Sequence, residues 1–310
     1  MFLYIAFKRR FALSTIIALS GVLVGGSMAW PFLHRFWLEL PLPNSGNQAG
    51  VLSRDYHVDI EGLKLPDLKN LSGITFNPDR NTLFAVTNRS PEVLELSLDG
   101  GLLRRIPTRG LQDPEAIEYL GDERYLVADE RIQTLFEVRI TDSTSVVDVD
   151  QSARLSIGVE LSGNKGFEGL AYDEERRRIF VAKEKRPRRI YEVSGFPVNA
   201  GEVLNIQILQ DARSDRRLPL RDISSLHFDA ETGHLLVLSD ESRRIIELDR
   251  QKQVIRSFPL TSGWHGLAKS IPQPEGITMD NEGNIYVVSE PDLFYRFLRN
   301  PEHLNRLSAR

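Results

Sequence analysis

Residues 167–184, FEGLAYDEERRRIFVAKE, carry a short apolar strand, a turn of acidic and basic residues, and a second apolar strand. The same pattern recurs in LSGITFNPDRNTLFAVTNR (71–89), PEAIEYLGDERYLVADE (114–130), ISSLHFDAETGHLLVLSDE (223–241) and PEGITMDNEGNIYVVSEP (274–291). A third strand follows each: VLELSLDG (93–100), TLFEVRI (134–140), RIYEVS (189–194), RIIELD (244–249) and LFYRFL (293–298). LLRRIPT (102–108), SVVDVDQ (145–151), EVLNIQIL (202–209) and QVIRSFPL (253–260) are the expected fourth strands. The matching positions Ser72, Glu115, Glu168, Ser224 and Glu275 stand 43, 53, 56 and 51 residues apart. Four short strands per unit at this period predict an all-β fold, a β-propeller.

The fifth unit ends after its third strand, and the orphan strand DYHVDI (55–60) precedes the first unit. Closing the ring with that strand leaves no free sheet edge and gives five blades. A six-bladed ring would need a blade hidden in 141–165 or 199–222, where no hairpin pattern occurs. A β-sandwich is the other alternative, and the repeated register argues against it.

Outward from the repeats, residues 11–33 run 23 positions without a charge, directly after Lys8, Arg9 and Arg10. At 1.5 Å per helical residue such a stretch exceeds a hydrocarbon core of roughly 30 Å. Positive-inside bias puts residues 1–10 in the cytoplasm, which makes the expectation a single-pass inner-membrane anchor with the propeller facing the periplasm. Trp30, Phe32, Phe36 and Trp37 read as interfacial aromatics at the exit, and the small residues Gly26–Ala29 leave a cleaved signal peptide as the alternative. Residues 34–53, ending in LPLPNSGNQAGVLS, read as a tether, 54–300 as the propeller and 301–310 as a polar tail.

Composition narrows the chemistry. The chain has no cysteine, which excludes disulfides, thiolate metal sites and a cysteine nucleophile. Residues 1–50 hold four basic groups and one acidic one, leaving 35 Lys and Arg against 42 Asp and Glu in 51–310, a balance of −7. That charge gives no footprint for nucleic acid.

Taken in order, the segments Leu71–Pro78 (LSGITFNP), Asp113–Ile117 (DPEAI), Phe167–Tyr172 (FEGLAY), Val181–Lys185 (VAKEK) and Pro274–Ile277 (PEGI) make the chain resemble the SdiA-regulated family of bacterial envelope proteins. The resemblance spans roughly residues 53–298 and includes the N-terminal apolar segment. E-G-[IL] strands also recur in NHL-repeat propellers, so the order and spacing of the segments, more than any one of them, carry it. The resemblance implies a five-bladed propeller with a bound calcium ion. Relatives among six-bladed propellers include calcium-using esterases and lactonases, an analogy of fold alone.

In a propeller the first strands line the central channel, so Glu115, Glu168 and Glu275 are expected to converge there, with Ser72 and Ser224 in the remaining blades. Carboxylates forced together repel, and a hard cation with six to eight oxygen ligands relieves that. Calcium is therefore the expected cofactor, held by Glu115, Glu168 and Glu275 with Asp113 and Asp222 as further donors. Salt bridges or backbone capping would be the structural use of the same groups. The second strands end in a matching polar set: Asn88-Arg89, Asp129-Glu130, Lys183-Glu184, Asp240-Glu241 and Glu290. Lys183 is the one cation at its position and could neutralise a carboxylate or hold an anion; a solvated loop is the plainer reading. Arginines at 176–178 and in 186–189 (RPRR) would either be solvated or touch an anionic headgroup or glycan.

No HExxH, GxSxG, Walker or GxGxxG pattern occurs. Two functions remain open: a non-catalytic module that binds an envelope protein or glycan, and a calcium-dependent hydrolase of esters, lactones or phosphoesters. For the second, His227 on an inner strand or one of the glutamates would be the general base.

Overall fold

The computed structural model describes residues 50–52, 56–68, 70–158, 166–185, 187–198 and 201–300. The expected anchor at 11–33, nearly all of the tether and the polar tail lie outside the described residues. Among the described residues no helix is long and apolar enough to cross a membrane.

The chain forms a five-bladed β-propeller. After the closing strand β1 (Tyr56–Lys64), blade 1 comprises β2 (Leu71–Asn77), β3 (Thr82–Thr87), β4 (Glu92–Leu96) and β5 (Leu102–Arg109). Blade 2 begins with β6 (Pro114–Gly121), β7 (Arg124–Asp129) and β8 (Thr134–Arg139), followed by the short β9 (Val147–Asp148) and β10 (Arg154–Ser156). Blade 3 is β11 (Phe167–Asp173), β12 (Arg178–Lys183), β13 (Arg189–Ser194) and β14 (Gln207–Gln210), and a short helix α1 (Ala212–Arg217) follows it. Blade 4 is β15 (Ser225–Asp229), β16 (His234–Ser239), β17 (Arg244–Leu248) and β18 (Val254–Pro259), and blade 5 holds β19 (Pro274–Met279), β20 (Ile285–Ser289) and β21 (Leu293–Arg299). β1 pairs antiparallel with β21, Tyr56 opposite Arg299, so the N-terminal strand completes blade 5 and closes the ring.

One expectation needs correction. The segment 145–151 is not the fourth strand of blade 2: β9 runs parallel to β5 of blade 1, and β10 pairs with β8 in its place. Val147 and Val149 are buried in the apolar cluster between blades 1 and 2, beside Ile106 and Val138, and that burial draws the segment across. The stretch 199–222 holds α1 rather than a sixth blade.

Five apolar clusters, one at each blade junction, hold the ring. Turns between first and second strands are closed by Asx side chains: Asn77 Oδ1 accepts from the Asp79 amide at 2.9 Å, and Asp280 Oδ1 from the Asn284 amide at 2.8 Å. The inner strands crowd one another. A Cβ on Gly73 would lie 2.6 Å from Ala116 Cα, and one on Gly276 would lie 2.7 Å from the Ser72 carbonyl oxygen. This close approach is the physical content of the repeated glycine after Glu168 and Glu275, and Ala116 and Ser225 are the small residues at the same position.

Candidate metal centre at the channel mouth

Antiparallel pairing sets the start of each first strand beside the end of its second, Pro114 opposite Asp129 and Pro274 opposite Ser289. One backbone bond repeats there. The Glu130 amide donates to the Asp113 carbonyl at 2.9 Å, Glu184 to Gly166 at 3.4 Å, and Glu290 to Gln273 at 3.0 Å. Two sets of acidic side chains thus meet on one face. The ladder register shifts at each inner glutamate, between Pro114 and Ala116, Phe167 and Gly169, and Pro274 and Gly276. Such bulges re-aim the side chain, here toward the axis.

Glu168 feels the charges of Glu115 and Glu275, Glu275 feels that of Glu115, and each of the three keeps some accessible surface. Glu115 accepts hydrogen bonds from Ser72 Oγ at 2.7 Å and Asn88 Nδ2 at 3.0 Å. Burial and the Glu130 and Asp113 charges nevertheless push its pKa up to about 8. Burial, reinforced by Glu115, Glu130, Glu184 and Glu275, pushes Glu168 well above the carboxylate range. Glu275 rises to about 10, through burial first and then the charges of Asp240 and Glu290.

The tightest group is Asp113, Glu115 and Glu130, one oxygen from each lying within 4.8 Å of the others. Glu130 also accepts from the Gly166 amide at 2.8 Å, which ties the group to blade 3, and Asp113 Oδ2 lies 3.3 Å from Arg131 Nη2. Glu168 and Glu275 stand outside that group. Asp222 is engaged locally: it accepts from Ser239 Oγ and, at 3.2 and 3.1 Å, from the Glu241 amide, capping the turn at the end of the second strand. Glu130 was visible in sequence only as a member of the polar set ending the second strands; its place beside Glu115 depends on the strand pairing.

A second layer lies one step deeper along the inner strands: Thr75, Glu118, Ala171, His227 and Thr278. Glu118 accepts from Thr75 Oγ1 at 3.1 Å and the Tyr172 amide at 3.2 Å, and burial pushes its pKa up to about 8. Burial lowers His227 to about 4, so its imidazole is neutral at pH 7. Lys183 is buried and donates from Nζ to the Lys185 carbonyl at 2.9 Å. Arg176 and Arg178 pair with Asp173 at 3.3 and 3.0 Å, and Arg177 with Glu202 at 2.8 Å.

The donor set suits a hard cation. It offers only oxygen, it places three carboxylates together, and the neighbouring carboxylates help to raise Glu168 well above the carboxylate range.

The SdiA-regulated family profile matches residues 48–298. Similar solved structures include a nidogen–laminin complex chain (18% identity, 72% of this chain and 73% of that one, TM-score 0.48). A luciferin-regenerating enzyme is 13% identical over 76% of this chain and 95% of its own, TM-score 0.48. Virginiamycin B lyase from Staphylococcus aureus is 11% identical over 78% and 99%, TM-score 0.47. None of these likenesses is close enough to bring a substrate or a reaction with it.

Proposed function

The chain belongs to the SdiA-regulated family, and from that premise we propose that it is a calcium-binding propeller serving as a binding module, anchored in the inner membrane and facing the periplasm. The observation that carries the calcium reading is the meeting of Asp113, Glu115 and Glu130 at the channel mouth. These three residues would hold the ion, with Glu168 the next oxygen donor. Bound Ca²⁺ supplies the positive charge that the mouth lacks, and so braces blades 2 and 3 against carboxylate repulsion. The mouth then offers a rigid polar face to an envelope protein or glycan. Nucleic acid is a poor fit for a surface of this sign. The uncharged stretch 11–33 behind three basic residues supports the anchor.

The test is a calcium titration of the full chain in neutral detergent after chelation. Wild type should bind one ion saturably and gain melting temperature. Glu115→Gln and Glu130→Gln should each weaken binding at least tenfold, and Glu231→Gln on an exposed turn should not. An absence of heat and of any melting shift would overturn the proposal.

The hydrolase alternative would rest on His227, on first strand β15, whose ring is kept neutral at pH 7 by burial, which also makes it a weak base, with a pKa lowered to about 4. Ester or phosphoester turnover lost in His227→Asn, with calcium binding intact, would establish it.

A further inference from the structure

Beside the acidic mouth, a cavity of about 320 Å³ opens between blades 3 and 4, and its walls carry Lys185, Arg188, Arg189, Arg216 and Arg221. Its volume falls at the lower end of the roughly 300–1,000 Å³ typical of ligand sites. Asp215 and Glu241 also line it, so five cations face two carboxylates, a local balance of +3. Both carboxylates are already engaged. Glu241 takes Lys185 at 2.9 Å, and the buried Asp215 accepts from Gln210 Nε2 at 2.6 Å. Lys185 also reaches Glu184 at 2.5 Å, so one ammonium forms the wall between cavity and mouth.

Arg188 is the informative residue. Arg104 and Arg178, also partly buried, have anionic partners: Arg104 binds Glu95 at 2.9 Å, and Arg178 binds Asp173 at 3.0 Å together with Glu192. Arg188 is partly buried too, yet among the described residues its guanidinium makes no hydrogen bond or ion pair, and Asp222 and Asp215 act on it only at longer range. Burial pulls its pKa below the usual arginine value. A guanidinium taken partly out of water with its five donors unused is costly unless a ligand completes it. Arg189 Nη1 donates to the Arg188 carbonyl at 2.9 Å, which holds the loop in this shape.

We propose that this cavity is a binding site for a phosphate group, with Arg188 as its bidentate anchor and Arg189, Arg216 and Arg221 closing round the oxygens. The guanidinium fork matches two phosphate oxygens. A monoester, at about −1.5 to −2 near pH 7, answers the surplus of positive charge better than a carboxylate does. The site is separate from the calcium centre and does not depend on it.

The test is calorimetric titration of the full chain in neutral detergent with inorganic phosphate, at constant ionic strength and with chelator present. Wild type should show one saturable site. Arg188→Gln should weaken binding at least tenfold, and should raise the melting temperature without phosphate because a desolvated charge is gone. Arg177→Gln, the same charge change at a surface pair, should leave binding unchanged. Should Arg188→Gln fail to fold, Arg216→Gln on exposed α1 should still weaken binding severalfold. Equal weakening in Arg188→Gln and Arg177→Gln, or heat that never saturates, would overturn the proposal. Glycerol phosphate and vesicles containing phosphatidic acid then distinguish the source. Competition by the first assigns a soluble phosphoester, and vesicle binding lost in Arg188→Gln assigns a lipid headgroup.

Discussion

Two rings of acidic side chains run through this propeller, and they are treated in opposite ways. Glu95, Glu137, Glu192 and Glu247 hold equivalent places on the third strands of blades 1–4, opposite Phe84, Leu126, Phe180 and Leu236. Each has a basic partner supplied by the chain: Arg104 at 2.9 Å, Arg124 at 3.4 Å, Lys252 at 2.5 Å and His234 at 2.7 Å, in that order. Blade 5 reverses the sign, with Arg296 at that place bonded to Asp59 of the closing strand at 2.9 Å. On the inner ring, among the described residues, no cation pairs with Glu115, Glu168 or Glu275, and burial, reinforced by nearby carboxylates, raises all three pKa values. The same residue type is therefore paired where the fold provides its counter-charge, and a candidate ligand where the chain provides none.

Neutralising an outer and an inner glutamate should move stability in opposite directions. The largest effect is expected at Glu247, which is fully buried and accepts from the Val51 and Leu52 amides at 2.7 and 3.0 Å as well as from His234. Glu247→Ala leaves these donors unpaired, and denaturant unfolding should show a loss of roughly 3–5 kcal/mol. Its calcium affinity should stay at the wild-type value. A loss of calcium binding at Glu247→Ala would erase the distinction between the rings.

Glu275→Gln should act the other way in chelator. With a folded pKa of about 10 against an ordinary value of 4.5, Glu275 takes up a proton on folding, so metal-free stability falls as pH rises from 4.5 through 10. Glutamine needs no proton, so at pH 8 the variant should be more stable by on the order of 1–2 kcal/mol, with a flatter pH profile. Calcium should flatten the wild-type profile in the same way, because a bound cation displaces those protons. A melting temperature for Glu275→Gln below wild type across pH 5–9 would show that the inner ring is held together by pairing after all.

The smallest change marks the baseline. Arg177 and Glu202 are both about half exposed and pair at 2.8 Å, so Arg177→Ala should leave the denaturant midpoint of unfolding almost unchanged. A marked fall would mean that surface pairs hold the blades and that the outer ring owes its effect to charge alone.

The five-blade count was legible because each blade buries its neighbour's face with the same alternation of apolar residues, leaving five copies of one pattern along the chain. Ring closure by the strand at 56–64 followed from a missing fourth strand in the last unit and an unclaimed strand before the first. Glu115, Glu168 and Glu275 share one repeat position in the sequence, and the ladder register shifts at each of them. The segment 145–151 was misassigned because its alternation fits an edge strand of either blade; burial of Val147 and Val149 at the junction chose blade 1.

By itself, then, the sequence determined the repeating unit, its number and the way the ring closes, because each is written in local periodicity. Only the tertiary structure decided that Glu130 joins Asp113 and Glu115, that Asp222 accepts from the Glu241 amide at a turn, and that Arg188 lines a cavity with no partner among the described residues. Those outcomes depend on which side chains of different strands and blades come within a few ångströms of one another. The rotation from blade to blade sets that distance, and no local pattern along the chain records it.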